Sequence, residues 1–285
     1  MTVAVTAASG KLGRLVVQAL LDAGQRPVAI VRDPEKVADL AARGADVRRA
    51  SYDDPAALDA ALVGVDRVLL ISGNEFGQRV AQHTNVIRAA ERAGVELLAY
   101  TSIPRAEGNP MVLAAEHRGT EEVLATASVP TVLLRNSWYW ENYGGAAAGA
   151  AQQGVLHGAM ADGRVSGAAQ ADYAEAAARV LTSSGHEGRV YELGGDDALT
   201  GADLAAAVGE ATGSTVRYQN LSQDDYAAAL RGAGLDEQTA AVLADADARI
   251  GDGWLEVTTG DLSKLLGRPA TPAATVFAQT GLAGA

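Results

Sequence analysis

Along the first half of the chain, short apolar runs alternate with stretches whose apolar residues recur every three to four positions. The first kind reads as buried strand and the second as amphipathic helix. Val3 and Val5, among small neighbours, form the first strand; the pattern restarts as helix at Leu12, Leu15, Val16, Ala19 and Leu20. Further strands are expected over 27–31, 45–50, 65–71, 95–101 and 129–134, and further helices over 34–42, 55–62, 79–93 and 111–126. The fourth strand ends almost wholly apolar, as an interior strand of a parallel sheet does. Six strands alternating with helices predict an α/β fold: a Rossmann-like, doubly wound parallel sheet with right-handed crossovers.

Beyond residue 140 the alternation decays. The spacing gives a weak helix over 144–151, a glycine-rich loop over 154–167 and an amphipathic helix over 172–181. A strand over 190–193, a helix capped by Thr200, a strand over 215–219 and a helix starting at Ser222 follow, and the rest reads as mostly helical. The expected division is a Rossmann domain over 1–150 and a smaller α+β substrate lobe over 151–285, with some segments returning to the sheet.

Composition narrows the function classes. Hydrophobic residues at 48% and charged residues at 20% describe an ordinary folded protein. A formal charge of −12 argues against nucleic acid or an anionic membrane as partner. No apolar run approaches the roughly 20 residues of a membrane span, and no basic segment followed by an apolar one suggests export. The absence of cysteine excludes disulfides, thiol catalysis and cysteine-bound metals. A cytoplasmic enzyme or binding protein is expected.

The candidate chemistry lies where strands end. Strand, glycine-rich turn, helix is the context of a dinucleotide-phosphate loop, because a helix N-terminus offers free N–H groups and partial positive charge to an anion. Thr6, Ala7, Ser9, Gly10, Lys11, Leu12 and Gly13 form that stretch, with alanine at position 7 where the usual spacing has glycine. Arg32 follows the second strand, 19 positions after Gly13. An acid near there suits a ribose 2′-hydroxyl and an arginine a 2′-phosphate, which puts NADP ahead of NAD, although the neighbouring Asp33 keeps NAD open. A solvated strand-end residue is the plain alternative for Arg32. Tyr52 and Asp53 are placed to flank an adenine, or simply to form a turn. Ser72, Gly73 and Asn74 fall where the chain would pass the cofactor's ribose and nicotinamide, with Asn74 equally suited to capping a helix. Phe76 either walls the pocket or staples that helix.

After the sixth strand, Trp138, Tyr139, Trp140 and Tyr143 cluster in a chain with only 13 aromatic residues. They suit a wall for a flat substrate or for the nicotinamide, or equally a plug joining two lobes. The Tyr-x-x-x-Lys pair of ordinary short-chain dehydrogenases is missing, since none of Lys11, Lys36 and Lys264 lies four residues after a tyrosine. His117 and Glu121 share a helix face and suit a proton relay, with an ordinary surface pair as the favoured account. No metal-site spacing is seen.

Taken together, several blocks make the chain similar to a known family. They include 6–13 (TAASGKLG), 31–34 (VRDP), 69–72 (LLIS), 77–79 (GQR), 99–102 (AYTS), 134–136 (LRN), Trp138-Tyr139, 141–143 (ENY), 171–173 (ADY), 186–188 (HEG) and 218–222 (YQNLS). In this order they resemble the NmrA-like atypical short-chain dehydrogenases/reductases, and within that group the bacterial NAD(P)H:quinone oxidoreductases of type 2. The resemblance implies an NADPH-binding Rossmann domain, a small C-terminal lobe and a cleft between them. It also implies hydride transfer to a quinone without flavin or metal, NADH being the less suited donor. It places the phosphate loop over Ala7 to Leu12, the 2′-phosphate at Arg32, the cofactor along Ser72 to Asn74 and the nicotinamide by Asn136 to Glu141, including Trp138 and Tyr139. Phe76, Trp138, Trp140 and Tyr143 are the expected substrate contacts. His117, Tyr139 and Asn136 are the candidates for taking part in the chemistry, with none assigned a catalytic role. Relatives have glycine at position 7 and often arginine where this chain has Gln170, which implies weaker cofactor binding here. The missing tyrosine–lysine pair fits a quinone acceptor, whose reduced anion is a weak base. A non-catalytic NADP(H)-binding, redox-sensing regulator is the alternative, and a reductase of another aromatic metabolite is a further one. The expected partner is a small quinone or aromatic acceptor, with no nucleic acid and no membrane insertion, in a monomer or homodimer.

Overall fold

Valine, isoleucine and leucine dominate the segments that become the strands Val3–Val5, Val28–Val31 and Arg67–Leu70, and helix-period segments separate them. A computed structural model describes residues 1–279. Its order begins β1 (Val3–Val5), α1 (Lys11–Asp22), β2 (Val28–Val31), α2 (Ala38–Ala42), β3 (Asp46–Arg49), α3 (Pro55–Ala61) and β4 (Arg67–Leu70). It continues α4 (Arg79–Ala93), β5 (Leu97–Ser102), α5 (Val112–Leu124), β6 (Thr131–Asn136), α6 (Gly144–Gln153) and β7 (Val155–Gly158). Then come α7 (Gln170–Thr182), β8 (Val190–Leu193), α8 (Gly201–Thr212), β9 (Arg217–Asn220), α9 (Gln223–Gly232), α10 (Glu237–Gly251), α11 (Asp261–Leu266) and α12 (Ala273–Phe277).

Seven strands form one sheet in the order β3-β2-β1-β4-β5-β6-β8, and β7 and β9 form a separate parallel pair. The recorded pairings from β3 through β6 are all parallel. The chain leaves β1 toward β2 and β3 on one side, then returns to β4 on the other, which makes the β1–β4 boundary the switch point where such sheets bind ligands. Period-two alternation sends Ala4, Val28, Ile30, Val68, Leu70 and Leu98 into one core with Leu58 of α3 and Val86 and Ile87 of α4. Helices α1 and α7 pack on each other, and they meet β1 and β4 respectively.

The chain forms two compact units. The first comprises Met1–Ala106, Glu116–Asn136 and Gln170–Tyr191; the second comprises Glu107–Ala115, Ser137–Ala169 and the described residues from Glu192 onward. A boundary after 150, with some later segments returning to the sheet, was the expectation. The observed division is discontinuous because α7 packs on α1 and so returns to the first unit. The second unit holds β7 and β9 with α6 and α8 beside them, and pairs α9 with α10. Its helix starts follow local chemistry: the Thr200 hydroxyl accepts from Asp203 N while Asp203 accepts from Thr200 N, and Ser222 accepts from Asp225 N. Strand β7 falls inside the expected loop 154–167, where three residues between Gly154 and Gly158 are too few to show a period.

The turn after β1 is the tightest point of the first unit. Ala7 has φ +47°, a left-handed conformation that costs a side-chain-bearing residue about 1 kcal/mol or more. A Cβ on Gly13 would lie 2.4 Å from the Ala7 carbonyl oxygen and 2.9 Å from Ala8 Cα. Gly13→Ala should therefore destabilise the protein by about 1–3 kcal/mol, because backbone atoms must move. Ala7→Gly should stabilise it by about 0.5–1 kcal/mol, strain relief exceeding glycine's entropic cost. Urea denaturation of both variants checks the pair; equal stability of Gly13→Ala and the parent would contradict the close approach.

Candidate functional site

Strand ends of the first unit bring most of the expected cofactor residues to one edge. Ala8 N donates to Ile30 O of β2 at 3.1 Å and Thr6 N to Leu69 O of β4 at 3.0 Å, so the turn is tied to both neighbouring strands. Gly10 caps α1 without any side-chain hydrogen bond, and Ser9, Gly10 and Lys11 are exposed, whereas Leu12 and Gly13 are buried. The first turn of α1 thus presents backbone N–H groups and one ammonium to an anion. The Thr6 side chain points elsewhere: its hydroxyl lies 2.5 Å from the Tyr52 hydroxyl and accepts from Ile71 N at 3.1 Å. Tyr52 also donates to Ile71 O at 2.8 Å, so Thr6 and Tyr52 fasten the end of β4. That is a structural duty for both hydroxyls.

Arg32 stands just past β2 with its side chain 75% exposed, 3.0 Å from Glu75. Of the loop after β4, Ser72 N donates to Thr101 Oγ1 at 2.9 Å and Gly73 N to His83 Nε2 at 3.0 Å. Asn74 is exposed, and Phe76 lies with its ring 5.0 Å from the Arg79 guanidinium carbon. Asn136, at the end of β6, is buried. Gln170 is buried at the start of α7.

Beneath the loop lies a polar network that the sequence reading missed. Because His83 Nε2 accepts from Gly73, its Nδ1 carries the proton and meets Thr120 Oγ1 at 2.9 Å; Thr120 in turn donates to Glu116 O. Tyr100 stands edge-on to His83 and bonds His117 Nδ1 at 2.8 Å. The buried Arg79 lies 3.7 Å from Glu116, and its Nη1 has no hydrogen-bond partner. Burial first, and the Arg79 charge second, push both His83 and His117 down to about 3. Burial also holds Arg79 below its ordinary value and Tyr100 above its own. The signal was available: Arg79, Gln82, His83 and Val86 share one stripe of α4, which places polar groups on its buried face.

Two expectations need correction. His117 and Glu121 do not form a surface pair: His117 is buried on Tyr100, and Glu121 accepts from Ser102 at 2.6 Å and from Arg135 at 2.6 and 3.0 Å. The aromatic wall shrinks as well. In the second unit Trp140 is 2% and Tyr143 8% exposed, because Trp140 packs so closely on Gly167 that a Cβ there would lie 2.5 Å from its ring. Trp138, Tyr139 and Glu141 are half-buried. Among the described residues no helix is long and apolar enough to cross a membrane, and no cluster of three potential metal ligands occurs.

The NmrA-like family matches residues 1–256. Quinone oxidoreductase 2 of Escherichia coli is 49% identical over 271 residues, covering 94% of this chain and 95% of that protein. The crystal structure of the NADPH-dependent quinone oxidoreductase from E. coli complexed with NADPH superposes with a TM-score of 0.93 at 48% identity, covering 97% and 99% of the two chains. Triphenylmethane reductase of Citrobacter sp., complexed with NADP(H), gives 0.93 at 35% identity over 98% and 99%.

The buried histidines dictate an acid-sensitive fold. Their folded values lie below the ordinary 6.5, so the unfolded chain binds more protons and stability falls as pH drops from about 6.5 toward 3. Each contributes about 1.4 kcal/mol per pH unit inside that window. Asp247, pushed up to about 6 by burial, works the opposite way between 3.8 and 6, leaving the histidine slope dominant. Urea denaturation from pH 7 to 4 should show stability falling, with His117→Asn flattening the slope by about 1 kcal/mol per unit. An unchanged slope in the variant would contradict the neutral, buried assignment.

Proposed function

The chain belongs to the NmrA-like family, and we propose that it is an NADPH-dependent reductase passing a hydride to a quinone or quinone-like acceptor. The observation that carries this reading is the 49% identity, across nearly the whole of both chains, to an enzyme named for quinone reduction. The Citrobacter relative is likewise named a reductase, which favours catalysis over the NADP(H)-sensing regulator.

The residues present suit the cofactor. The uncapped start of α1 with Lys11 receives the diphosphate, and the exposed guanidinium of Arg32 receives the 2′-phosphate. Ser72 and Gly73, fixed through Thr101 and His83, hold the backbone that passes the ribose and nicotinamide. Asn136, at the end of β6, completes the nicotinamide end of this strand edge in this reading. NADPH supplies the hydride when bound. Phe76 offers a flat apolar face to the acceptor, and Arg79 behind it adds positive charge that favours an anionic product. Reduction of a quinone leaves a phenolate whose pKa of about 10 makes it a weak base, so a dedicated proton donor contributes little. His117 fits that economy: a histidine held neutral down to about pH 3 is a positioning group for Tyr100, not an acid. In this reading the enzyme uses no flavin and no metal, takes a small-molecule acceptor and works in the cytoplasm.

Two measurements test it. NADPH oxidation followed by absorbance should be quinone-dependent across a panel of benzoquinones and naphthoquinones; cofactor binding with no turnover on any of them would leave the sensor reading. Arg32→Ala should weaken NADPH binding about 10–100-fold, the scale of a charge-assisted contact, and change NADH binding less than about twofold. Equal losses for both cofactors would contradict the role of Arg32.

A further inference from the structure

The cation expected to meet the 2′-phosphate already holds an anion of this chain. Arg32 Nη1 lies 3.0 Å from Glu75 Oε1, and the second oxygen of that carboxylate accepts from Gln82 Nε2 at 2.9 Å. Gln82 is 4% exposed, and its amide also donates to both carboxylate oxygens of Asp53, at 3.1 and 3.3 Å. A buried amide on α4 therefore holds Glu75 from behind while Arg32 engages it in front. In doing so, Glu75 joins the loop after β4 to the end of β2. The Arg32–Glu75 pair itself is exposed, 75% and 50% by side chain, so it is a weak, readily exchanged contact.

We propose that Glu75 is a specificity-determining residue that occupies Arg32 in place of the cofactor's 2′-phosphate, so that NADPH binds by exchanging one anion for another on the same guanidinium. This rests on the reading that Arg32 receives that phosphate. A phosphate monoester bears nearly two charges against one for the carboxylate and presents more acceptor oxygens, so it wins the exchange on Arg32. It wins by less than it would against water, and Glu75, still tethered by Gln82, repels it from the side. NADH has a 2′-hydroxyl there, leaves the pair intact and is indifferent to the charge of Glu75. The carboxylate thus lowers NADPH affinity and narrows the preference for NADPH over NADH. Because the same carboxylate anchors the loop that carries Phe76, arrival of the phosphate also releases that loop from β2.

Fluorescence titration of NADPH and NADH against the parent, Glu75→Gln, Arg32→Ala and the double variant tests the exchange, with no turnover required. Glu75→Gln should tighten NADPH about 3–10-fold and leave NADH within about twofold, since glutamine keeps the length and loses the charge. In the Arg32→Ala background the same change should have under half that effect, because there is no guanidinium left to contest. Unchanged or weaker NADPH binding in Glu75→Gln overturns the proposal, as does an equal gain with and without Arg32. Arg32→Ala alone reports separately on its premise: if it fails to discriminate between the two cofactors, the premise falls whatever Glu75 does. Both side chains are exposed, so retained NADH binding serves as the check that each variant is folded.

Discussion

The structure depends on how closely helix α1 approaches the turn that follows β1. Gly13 sits against the Ala7 carbonyl with no room for a side chain, and Ala7 accepts a left-handed backbone to make that approach. The turn is in turn tied through Ala8 to β2 and through Thr6 to β4. One short segment therefore sets the α1 N-terminus, the exit of β2 where Arg32 stands, and the exit of β4 where Ser72 and Gly73 stand. These are the three places a dinucleotide's phosphates and ribose require in a doubly wound sheet.

Beneath that edge, an unusual share of the packing is polar. His83, Tyr100, His117 and Thr120 are all buried, and each has a hydrogen-bond partner. Burial first, and the Arg79 charge second, keep both imidazoles uncharged, and a neutral His83 can accept from Gly73 where a protonated one could not. Fixing the loop after β4 thus depends on a charge state, which is settled by burial and by a neighbouring guanidinium. A site held this firmly needs little acid–base machinery of its own in the proposed reaction, whose product is a stabilised aromatic anion, and this fits the absence of a tyrosine–lysine pair.

Much of the fold was legible in the chain because strand and helix periods are local. The six alternating units, Thr200 and Ser222 as caps, and Arg32 at the right distance all follow from spacing. What escaped was non-local. His117 meets Tyr100 and His83 meets Thr120 across elements, and no periodicity reports a partner 17 or 37 residues away. Helical spacing placed His117 and Glu121 on one face, yet each was claimed by a different strand residue. Trp140 and Tyr143 were gathered by composition alone, which does not say that one of them packs on Gly167 inside the second unit. Glu75 lies in an irregular loop, so its contact with Arg32 had no sequence signature.

In the proposed reaction, positioning at this strand edge passes a hydride from NADPH to a quinone without an acid from the protein. Single-turnover oxidation of NADPH deuterated at one or the other C4 position measures this most directly. Slowing by about twofold or more is expected with only one of the two labelled forms, together with a rate independent of pH from 6.5 to 9. Equal slowing with both forms, or a rate that falls as a single protein group loses its proton in that range, would contradict it.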